Sequence, residues 1–265
     1  MNKICTFCAG RANSDEDVIP KWVLRLLRKQ DGERVPMRTY RFGEPPHDRL
    51  VANSALKVGS VCRGCNSGWM SRLEEDVKPI LTPMILGNSV KLTVRQQERL
   101  TTWMTKCAII YESMASGEVF YNGLDRCHFM KTQAPLISTS AWLGQYIGSA
   151  RHIVDYRLLS RHQTQGGAVT ILVLTLVIGK LALQLTSAKW TEQVPQIDLS
   201  TFVLKDAKNL LVELWPPNLL GVQWPPLHSF DDEESRIKYL VVRFGGKELA
   251  GRIEANISTS VQEPK

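Results

Sequence analysis

Apolar side chains recur at helical spacing most clearly in the segment that follows Thr93. From Leu100 to Met114 they lie three or four positions apart, which is typical of the buried face of an amphipathic helix. Thr93 and Gln96 fit a capping box at the start of this helix, in which each side chain accepts a bond from the other residue's backbone N–H. Cys107 belongs to the same face and is predicted to be a buried, small apolar residue.

Two shorter helices are predicted nearer the N-terminus, over residues 20–29 and 69–77. Proline is tolerated at the first position of a helix, which suits Pro20, whereas Pro79 should end the second helix. The first helix has one apolar side and, on the other, three basic residues at positions i, i+4 and i+7: Lys21, Arg25 and Arg28. Such a basic face is either simply solvated or in contact with phosphate groups.

From about residue 119 the pattern changes to short apolar runs between glycines and prolines. Residues 168–178 are the most apolar run, and Gly179-Lys180 separates them from a second run that ends at residue 185. This first run of 11 residues is shorter than the ~20 that a membrane-spanning helix needs, so a β-hairpin is predicted. Residues 30–57 are polar, contain several prolines and indicate an irregular insertion or a ragged hairpin.

Composition and charge set broad limits on the class of protein. With 265 residues and 43% hydrophobic content the chain can bury a substantial core. The net charge of +7 and the sequence pI of about 9.1 favour polyanionic partners, but only weakly. The first residues contain no apolar signal core, so we predict a cytoplasmic protein that does not associate with membranes.

Two CxxC pairs carry the strongest chemical signal in the chain. Two thiolates separated by two residues bind one metal ion from a tight turn, and two such turns complete the tetrahedral shell of a structural zinc site. In a reducing compartment these cysteines stay reduced and metal-bound. The predicted ligands of a structural Zn²⁺ are Cys5, Cys8, Cys62 and Cys65.

Together these patterns predict an α+β fold. The predicted organisation is a zinc module over residues 1–78, a helical connector over residues 79–118, a β-rich domain of unknown role over residues 119–255 and a disordered tail over residues 256–265. The β-rich region contains no nucleotide-binding loop and no nucleophile elbow in its sequence. Any chemistry is therefore expected in the N-terminal module.

The segments between and after the CxxC pairs carry a family resemblance. Between the pairs lies Glu16-Asp17-Val18-Ile19-Pro20, and the second pair continues directly into Asn66. The order of these segments resembles zinc-stabilised HNH endonucleases with a ββα-metal core, over roughly the first quarter of the chain. The stretch from Val61 to Glu74, with a later helix that contains Trp103 and Lys106, is also similar to a large set of bacterial HNH-like proteins of unknown role. The resemblance implies a treble-clef, ββα-metal-like zinc module and nucleic acid as the partner, with DNA favoured over RNA.

In such nucleases an acidic residue and the residue after the last cysteine help to hold a catalytic divalent metal at the scissile phosphate, and a histidine takes a proton from water. Matched residue by residue, Glu16 and Asn66 take the metal-side positions, so Mg²⁺ or Mn²⁺ is the implied catalytic cofactor. Asp17 takes the position of the histidine. An unperturbed Asp, with a pKa of about 3.9, is a much weaker base than His at about 6.5. A lost general base typically lowers the rate about 10²–10⁴-fold.

Other interpretations of these residues stay open. Burial could raise the pKa of Asp17, Asp17 could become a metal ligand beside Glu16, or His47 could serve as a substitute base. Alternatively, Glu16 and Asp17 are acidic residues that stabilise the start of the following helix. Asn66 is then only a turn residue.

Three hypotheses for the function follow. The first is an HNH-type metal-dependent nuclease that acts on nucleic acid, in a setting of phage defence or mobile-element biology. The second is a catalytically inactive descendant, in which zinc holds the fold and the basic helix binds phosphates. The third is a protein-interaction role of the C-terminal region, which would bind a protein partner while the zinc module acts as a scaffold.

Overall fold

A computed structural model of the chain describes residues 3–27, 34–41, 47–52, 57–114, 119–136, 138–148, 152–162, 168–190 and 210–231. Arg28 and the predicted tail over residues 256–265 lie outside the described residues. The fold mixes helices and strands, as predicted. Among the described residues, no helix combines the length and the apolar character that crossing a bilayer requires.

Five named helices and twelve strands make up the described part of the chain. The helices are α1 (Lys21–Leu26), α2 (Arg63–Cys65), α3 (Ser71–Leu86), α4 (Val94–Glu112) and α5 (Gly123–Thr132), with a π-helical turn over Asn66–Met70 between α2 and α3. The strands are β1 (Ser14–Asp17), β2 (Arg34–Arg41), β3 (His47–Ala52), β4 (Lys57–Val61), β5 (Val90–Leu92), β6 (Thr139–Tyr146), β7 (His152–His162), β8 (Ala168–Ile178), β9 (Leu181–Trp190), β10 (Leu211–Trp215), β11 (Val222–Trp224) and β12 (Ser229–Phe230).

Most strands belong to one eight-stranded sheet. Its order is β10-β6-β9-β8-β7-β2-β3, and β12 pairs in parallel with β6. The predicted hairpin at Gly179-Lys180 is confirmed, because β8 and β9 pair antiparallel with Ile178 opposite Leu181. Gly179 has a positive φ of 58°, and a Cβ built there would lie 2.5 Å from the carbonyl oxygen of Ile85. Only glycine therefore fits this turn without displacing α3.

The segment over residues 30–57 contains a hairpin, the second of the two alternatives. Strands β2 and β3 pair antiparallel, and β2 continues into the large sheet through a parallel pairing with β7. A hairpin from the predicted zinc module thus shares a sheet with strands of the predicted β-rich region. The backbone of His47 lies in β3, opposite Thr39, at the edge of this sheet.

Helices α3 and α4 pack against each other, and α4 also contacts strands β5, β7, β9 and β10. The capping box of Thr93 and Gln96 is confirmed at the start of α4, and Cys107 is buried on its inner face. The prediction for α3 was wrong at its end, because the helix continues through Pro79 and Pro83 to Leu86. Buried residues on one face, among them Leu81 and Met84, offset the backbone hydrogen bonds that the two prolines cannot donate.

Helix α5 was not predicted, since residues after about 119 were expected to form β-structure. Asn122 caps its first turn by accepting bonds from the backbone N–H groups of Leu124 and Asp125, and the Asp125 carboxylate accepts a bond from the backbone N–H of Asn122. One continuous hydrophobic cluster extends from Cys5 through the helices to Trp224. The N-terminal module is therefore packed onto the same core as the sheet.

Candidate functional site

The four predicted zinc ligands lie together in the structure. The sulfur atoms of Cys5, Cys8, Cys62 and Cys65 all fall within 4.8 Å of one another. Cys5 and Cys65 are buried, whereas Cys8 is exposed and Cys62 half-buried. The prediction that these four residues come close enough to bind one metal ion is confirmed, and this donor set suits zinc.

Local hydrogen bonds shape the two turns that carry these cysteines. In the first turn, the backbone N–H of Thr6 donates to the carbonyl of Ser60 at 2.7 Å, which ties the turn to strand β4. Ala9 has a positive φ of 57° and closes the turn by donating to the carbonyl of Cys5. In the second turn, the backbone N–H of Cys65 donates to the sulfur of Cys62 at 3.3 Å.

An aromatic cluster covers the buried side of the cysteine site. The rings of Phe7 and Trp69 meet edge to face with centroids 5.0 Å apart, and Phe129 of α5 lies 5.8 Å from Trp69. This cluster removes water from one side of the sulfur atoms. Burial raises the pKa of the Cys65 thiol, and the neighbouring thiols add to that rise.

The chemistry of the four sulfur atoms favours a cation among them. Burial acts to raise the pKa of Cys5, but hydrogen bonds from the backbones of Cys8, Phe7 and Cys62 lower it to about 7. The protein thus supplies N–H donors to a thiolate here, while close packing of four sulfurs opposes several negative charges without a metal. Cys5, Cys8, Cys62 and Cys65 fit a structural zinc ion, whose chemistry would be to hold the two turns together.

A cleft of about 280 Å³ lies beside the cysteine site and gathers most of the other predicted residues. It is lined by side chains from β1, α1, the π-helical turn and α3: Asp15, Glu16, Asp17, Pro20, Lys21, Trp22, Arg25, Asn66, Met70, Ser71 and Glu74. Five of the six predicted catalytic and nucleic-acid-binding residues are described, and all five line this cleft, because β1 is followed directly by α1 and Asn66 follows the second cysteine turn. The structure therefore brings the predicted catalytic residues together with Lys21 and Arg25 in one cleft.

Glu16 is buried at the base of this cleft, in an ion-paired cluster. Its side-chain oxygen Oε1 lies 2.7 Å from the Nζ atom of Lys106, and Lys106 Nζ lies 2.8 Å from Oε1 of Glu74. Lys106 is only 1% exposed and Glu16 only 6%. We refer to Glu16, Lys106 and Glu74 as the buried triad.

Burial and charge act in opposite directions on the ionisation of the buried triad. Burial raises the pKa of Glu16, and the positive charge and hydrogen bond of Lys106 offset part of that rise. For Lys106, burial alone would lower the pKa, but the carboxylates of Glu74 and Glu16 outweigh it and raise the pKa instead. Lys106 is therefore held as an ammonium ion beneath the cleft.

Asp17 occupies the end of β1 and is half-buried. Its Oδ2 atom lies 4.0 Å from the Nζ atom of Lys21, one helical turn along the chain. Lys21 itself is exposed at the rim of the cleft. The residue at the position of the family's histidine is thus an acidic side chain that faces a surface cation.

Asn66 ties the second cysteine turn to β1. Its side-chain nitrogen Nδ2 donates to the hydroxyl oxygen of Ser14 at 2.9 Å and to the backbone carbonyl of Asp15 at 2.9 Å. These bonds fix the strand that carries Glu16 and Asp17 against the turn that carries Cys65. These hydrogen bonds give Asn66 a structural role. That role agrees more closely with its interpretation as a turn residue than with a metal ligand.

A catalytic divalent metal does not fit the cleft as well as zinc fits the cysteines. The oxygen of Glu16 that faces Lys106 already accepts a bond from an ammonium, and Glu74 shares the same cation. A divalent ion at these oxygens would have to approach a fixed positive charge. The arrangement of Glu16, Lys106 and Asn66 therefore does not match a ready Mg²⁺ or Mn²⁺ site.

Sequence analysis missed Lys106 and Glu74 as parts of the cleft region. Both residues entered only through the family resemblance, without a role. One signal was available for Lys106: a charged residue directly beside Cys107, within a run of buried side chains on α4. A lysine at such a position needs an acidic partner, because an unpaired buried charge is strongly destabilising.

Comparisons of the chain with protein-family models, with curated proteins and with solved structures give no significant match.

Proposed function

We propose that the chain is a zinc-stabilised nucleic-acid-binding protein of the HNH endonuclease type, whose cleft receives a phosphate backbone without cutting it. The observation that carries this proposal is the contact of 2.7 Å between Glu16 and Lys106. It places an ammonium on the carboxylate that a nuclease would use for its metal. Asp17, a carboxylate, stands where the resemblance has the histidine base.

The order of elements around the cysteine site supports the HNH-type, treble-clef interpretation. The first CxxC turn precedes β1, which pairs antiparallel with β4, and β4 leads into the second CxxC turn and then into helical structure. Two strands and a helix around one metal site are the parts of a ββα-metal module. In this proposal, zinc fixes the relative position of β1 and the second turn, and thereby shapes the cleft.

The distribution of charge on the module supports a polyanionic partner. Within residues 3–27 and 57–78, eight lysines and arginines are exposed, against three exposed acidic residues. The basic set is Lys3, Arg11, Lys21, Arg25, Lys57, Arg63, Arg72 and Lys78; the acidic set is Asp15, Glu75 and Asp76. Nucleic acid is a polyanion that binds such a surface by releasing its counterions.

Fluorescence anisotropy with a labelled DNA duplex, a labelled DNA single strand and a labelled RNA strand tests this proposal. Zinc-loaded protein should bind with an affinity that falls steeply between about 50 and 200 mM salt. Replacing Lys21 and Arg25 by Ala should weaken binding and reduce the slope of log K against log salt by about 0.9 for each lost phosphate contact. The matched control is Lys91→Ala, which removes an exposed lysine that does not line the cleft.

Two results would contradict the proposal. Binding that does not depend on salt would mean that phosphate contacts do not hold the ligand. An unchanged salt slope in the variant that lacks Lys21 and Arg25 would place the nucleic acid elsewhere on the protein. Tighter binding to RNA than to DNA would keep the cleft but change the preferred partner.

A metal-dependent HNH nuclease is the second candidate, favoured by the convergence of Glu16, Asp17 and Asn66 on one cleft. The variant Asp17→His tests it, because it restores the residue type that the resemblance assigns to the general base. Cleavage of a plasmid by wild-type protein with Mg²⁺ or Mn²⁺ would establish this candidate. Cleavage by Asp17→His alone would show that the wild-type site lacks only its base.

A further inference from the structure

The buried triad has an unusual composition for the base of a surface cleft. Two carboxylates that line the cleft, from Glu16 and Glu74, both contact one ammonium within 2.8 Å. That ammonium comes from α4, where its two neighbours in the chain, Thr105 and Cys107, are also buried. A lysine side chain loses much conformational freedom and hydration at such a site, so its contacts must compensate for both losses.

Asp17, a further carboxylate of the cleft, also faces a cation. Asp17 lies 4.0 Å from Lys21, and Arg25 lines the same cleft. Glu16, Asp17 and Glu74 are thus accompanied by Lys106, Lys21 and Arg25. A site that selects a divalent metal usually presents uncompensated carboxylates, since hard oxygen ligands and negative charge are what attract Mg²⁺. This cleft has the oxygens, but those of Glu16 and Glu74 already face an ammonium.

We propose that the Lys106 ammonium serves as a built-in cation between Glu16 and Glu74, in place of a divalent metal, so that the cleft does not bind Mg²⁺ or Mn²⁺. The ammonium donates to one oxygen of each carboxylate and holds the two side chains together. It differs from a metal ion in two respects: it cannot leave the site, and it presents no open coordination position to a substrate or to water.

The geometry explains why the two cations exclude each other. Mg²⁺ requires oxygen ligands at about 2.0–2.1 Å in nearly octahedral order. Bringing Glu16 and Glu74 onto one metal would place it within a few ångströms of the Lys106 nitrogen, which the packing of α4 holds in place with 1% exposure. Repulsion between a divalent ion and a fixed ammonium at that separation opposes binding strongly. This inference concerns the cation alone and does not depend on nucleic-acid binding.

Titration of Mn²⁺ into zinc-loaded full-length protein, followed by electron paramagnetic resonance of the free ion, tests the inference. The cysteine site does not interfere, because thiolates prefer zinc over manganese. Three proteins are compared: wild type, Lys106→Met, and Lys106→Met combined with Glu16→Gln. Methionine keeps an unbranched side chain in the apolar surroundings but removes the ammonium.

Wild-type protein should show no saturable Mn²⁺ binding at the cleft. Lys106→Met should gain one Mn²⁺ site, with an affinity at least about tenfold higher than any Mn²⁺ binding by the wild-type protein. Mg²⁺ should compete for this site. The added Glu16→Gln substitution should remove that site. A folded Lys106→Met protein that gains no site would overturn the proposal.

If Lys106→Met does not fold, a comparison of the wild-type protein with Glu16→Gln still tests the inference. Stoichiometric Mn²⁺ binding by wild type that is lost in Glu16→Gln would mean that the metal and Lys106 share the carboxylates. That result would overturn the idea that the ammonium takes the place of the metal. If the ammonium takes the place of the metal, neither the wild-type protein nor Glu16→Gln should bind Mn²⁺ stoichiometrically.

Discussion

Removal of the Lys106 ammonium should destabilise the protein far more than removal of an ordinary surface charge. In the variant Lys106→Met, Glu16 remains 6% exposed but loses its only contact with a positive charge within 4.0 Å among the described residues. Glu74 also loses its shared partner, although its side chain is 24% exposed and can turn toward water. The cost therefore falls mainly on Glu16.

The expected magnitude follows from the burial of this pair. Breaking a buried ion pair by removing one partner typically costs about 3–5 kcal/mol, because it leaves an uncompensated buried charge. The same helix offers a matched control in Arg99, which contacts Asp76 at 2.9 Å with both side chains partly exposed. Replacing Arg99 by Met should cost only about 0.2–1 kcal/mol.

The loss should also depend on pH, in a direction set by Glu16. Folding raises the pKa of Glu16 above its ordinary value of 4.5, chiefly by burial, so the folded protein holds that proton more tightly than the unfolded chain. A carboxyl group of this kind contributes stability below its unfolded pKa and loses it as the pH rises through the folded pKa. Without Lys106 the pKa of Glu16 rises further. The stability gap between Lys106→Met and wild type should therefore be smaller near pH 5 than near pH 8.

Urea denaturation of zinc-loaded proteins, followed by tryptophan fluorescence, measures these differences in the free energy of unfolding. A second substitution, Glu16→Gln, should make Lys106→Met more stable, since it removes the unpaired charge. The reasoning would be refuted if Lys106→Met cost no more than Arg99→Met. It would also be refuted if Glu16→Gln destabilised the Lys106→Met background.

Three further predictions address the zinc site and the fold. Cys62→Ser should abolish stoichiometric zinc binding, measured by elemental analysis of purified protein, whereas Cys127→Ser should retain it, because Cys127 lies outside the cluster of four sulfurs. Asn66→Ala should lower the free energy of unfolding by about 1–3 kcal/mol through loss of its two bonds to β1; a loss below the error of denaturant titration would refute the structural role of Asn66. Gly179→Ala should destabilise by more than about 1 kcal/mol in the same assay, because its Cβ would collide with the Ile85 carbonyl; a neutral effect would mean that this turn can rearrange.

The parts of the structure that sequence patterns predicted are those with local signals. The cap at Thr93, the hairpin at Gly179-Lys180 and the two cysteine turns each depend on residues a few positions apart. The meeting of the two turns, although 54 residues separate Cys8 from Cys62, was predictable because a tetrahedral metal shell needs four ligands and each turn supplies two.

The parts that were not predicted depend on distant packing. Pro79 is a local signal for the end of a helix, but burial of one face of α3 against α4 overrides it. The parallel pairing of β2 with β7 joins strands more than 100 residues apart and leaves no short motif. The contact between Lys106 and Glu16 spans 90 positions, so only the position of a charged residue within a buried run hinted at it.

A gel experiment with supercoiled plasmid examines both parts of the proposed function together: that the zinc-stabilised cleft binds nucleic acid, and that it does not cut it. Supercoiled plasmid is incubated with zinc-loaded wild-type protein, with and without Mg²⁺ or Mn²⁺, at low and high salt, and both retardation and nicking are scored. We expect retardation at low salt that disappears at high salt, with no nicked product under any metal condition. Metal-dependent nicking that Glu16→Gln abolishes, or no retardation at low salt, would contradict it.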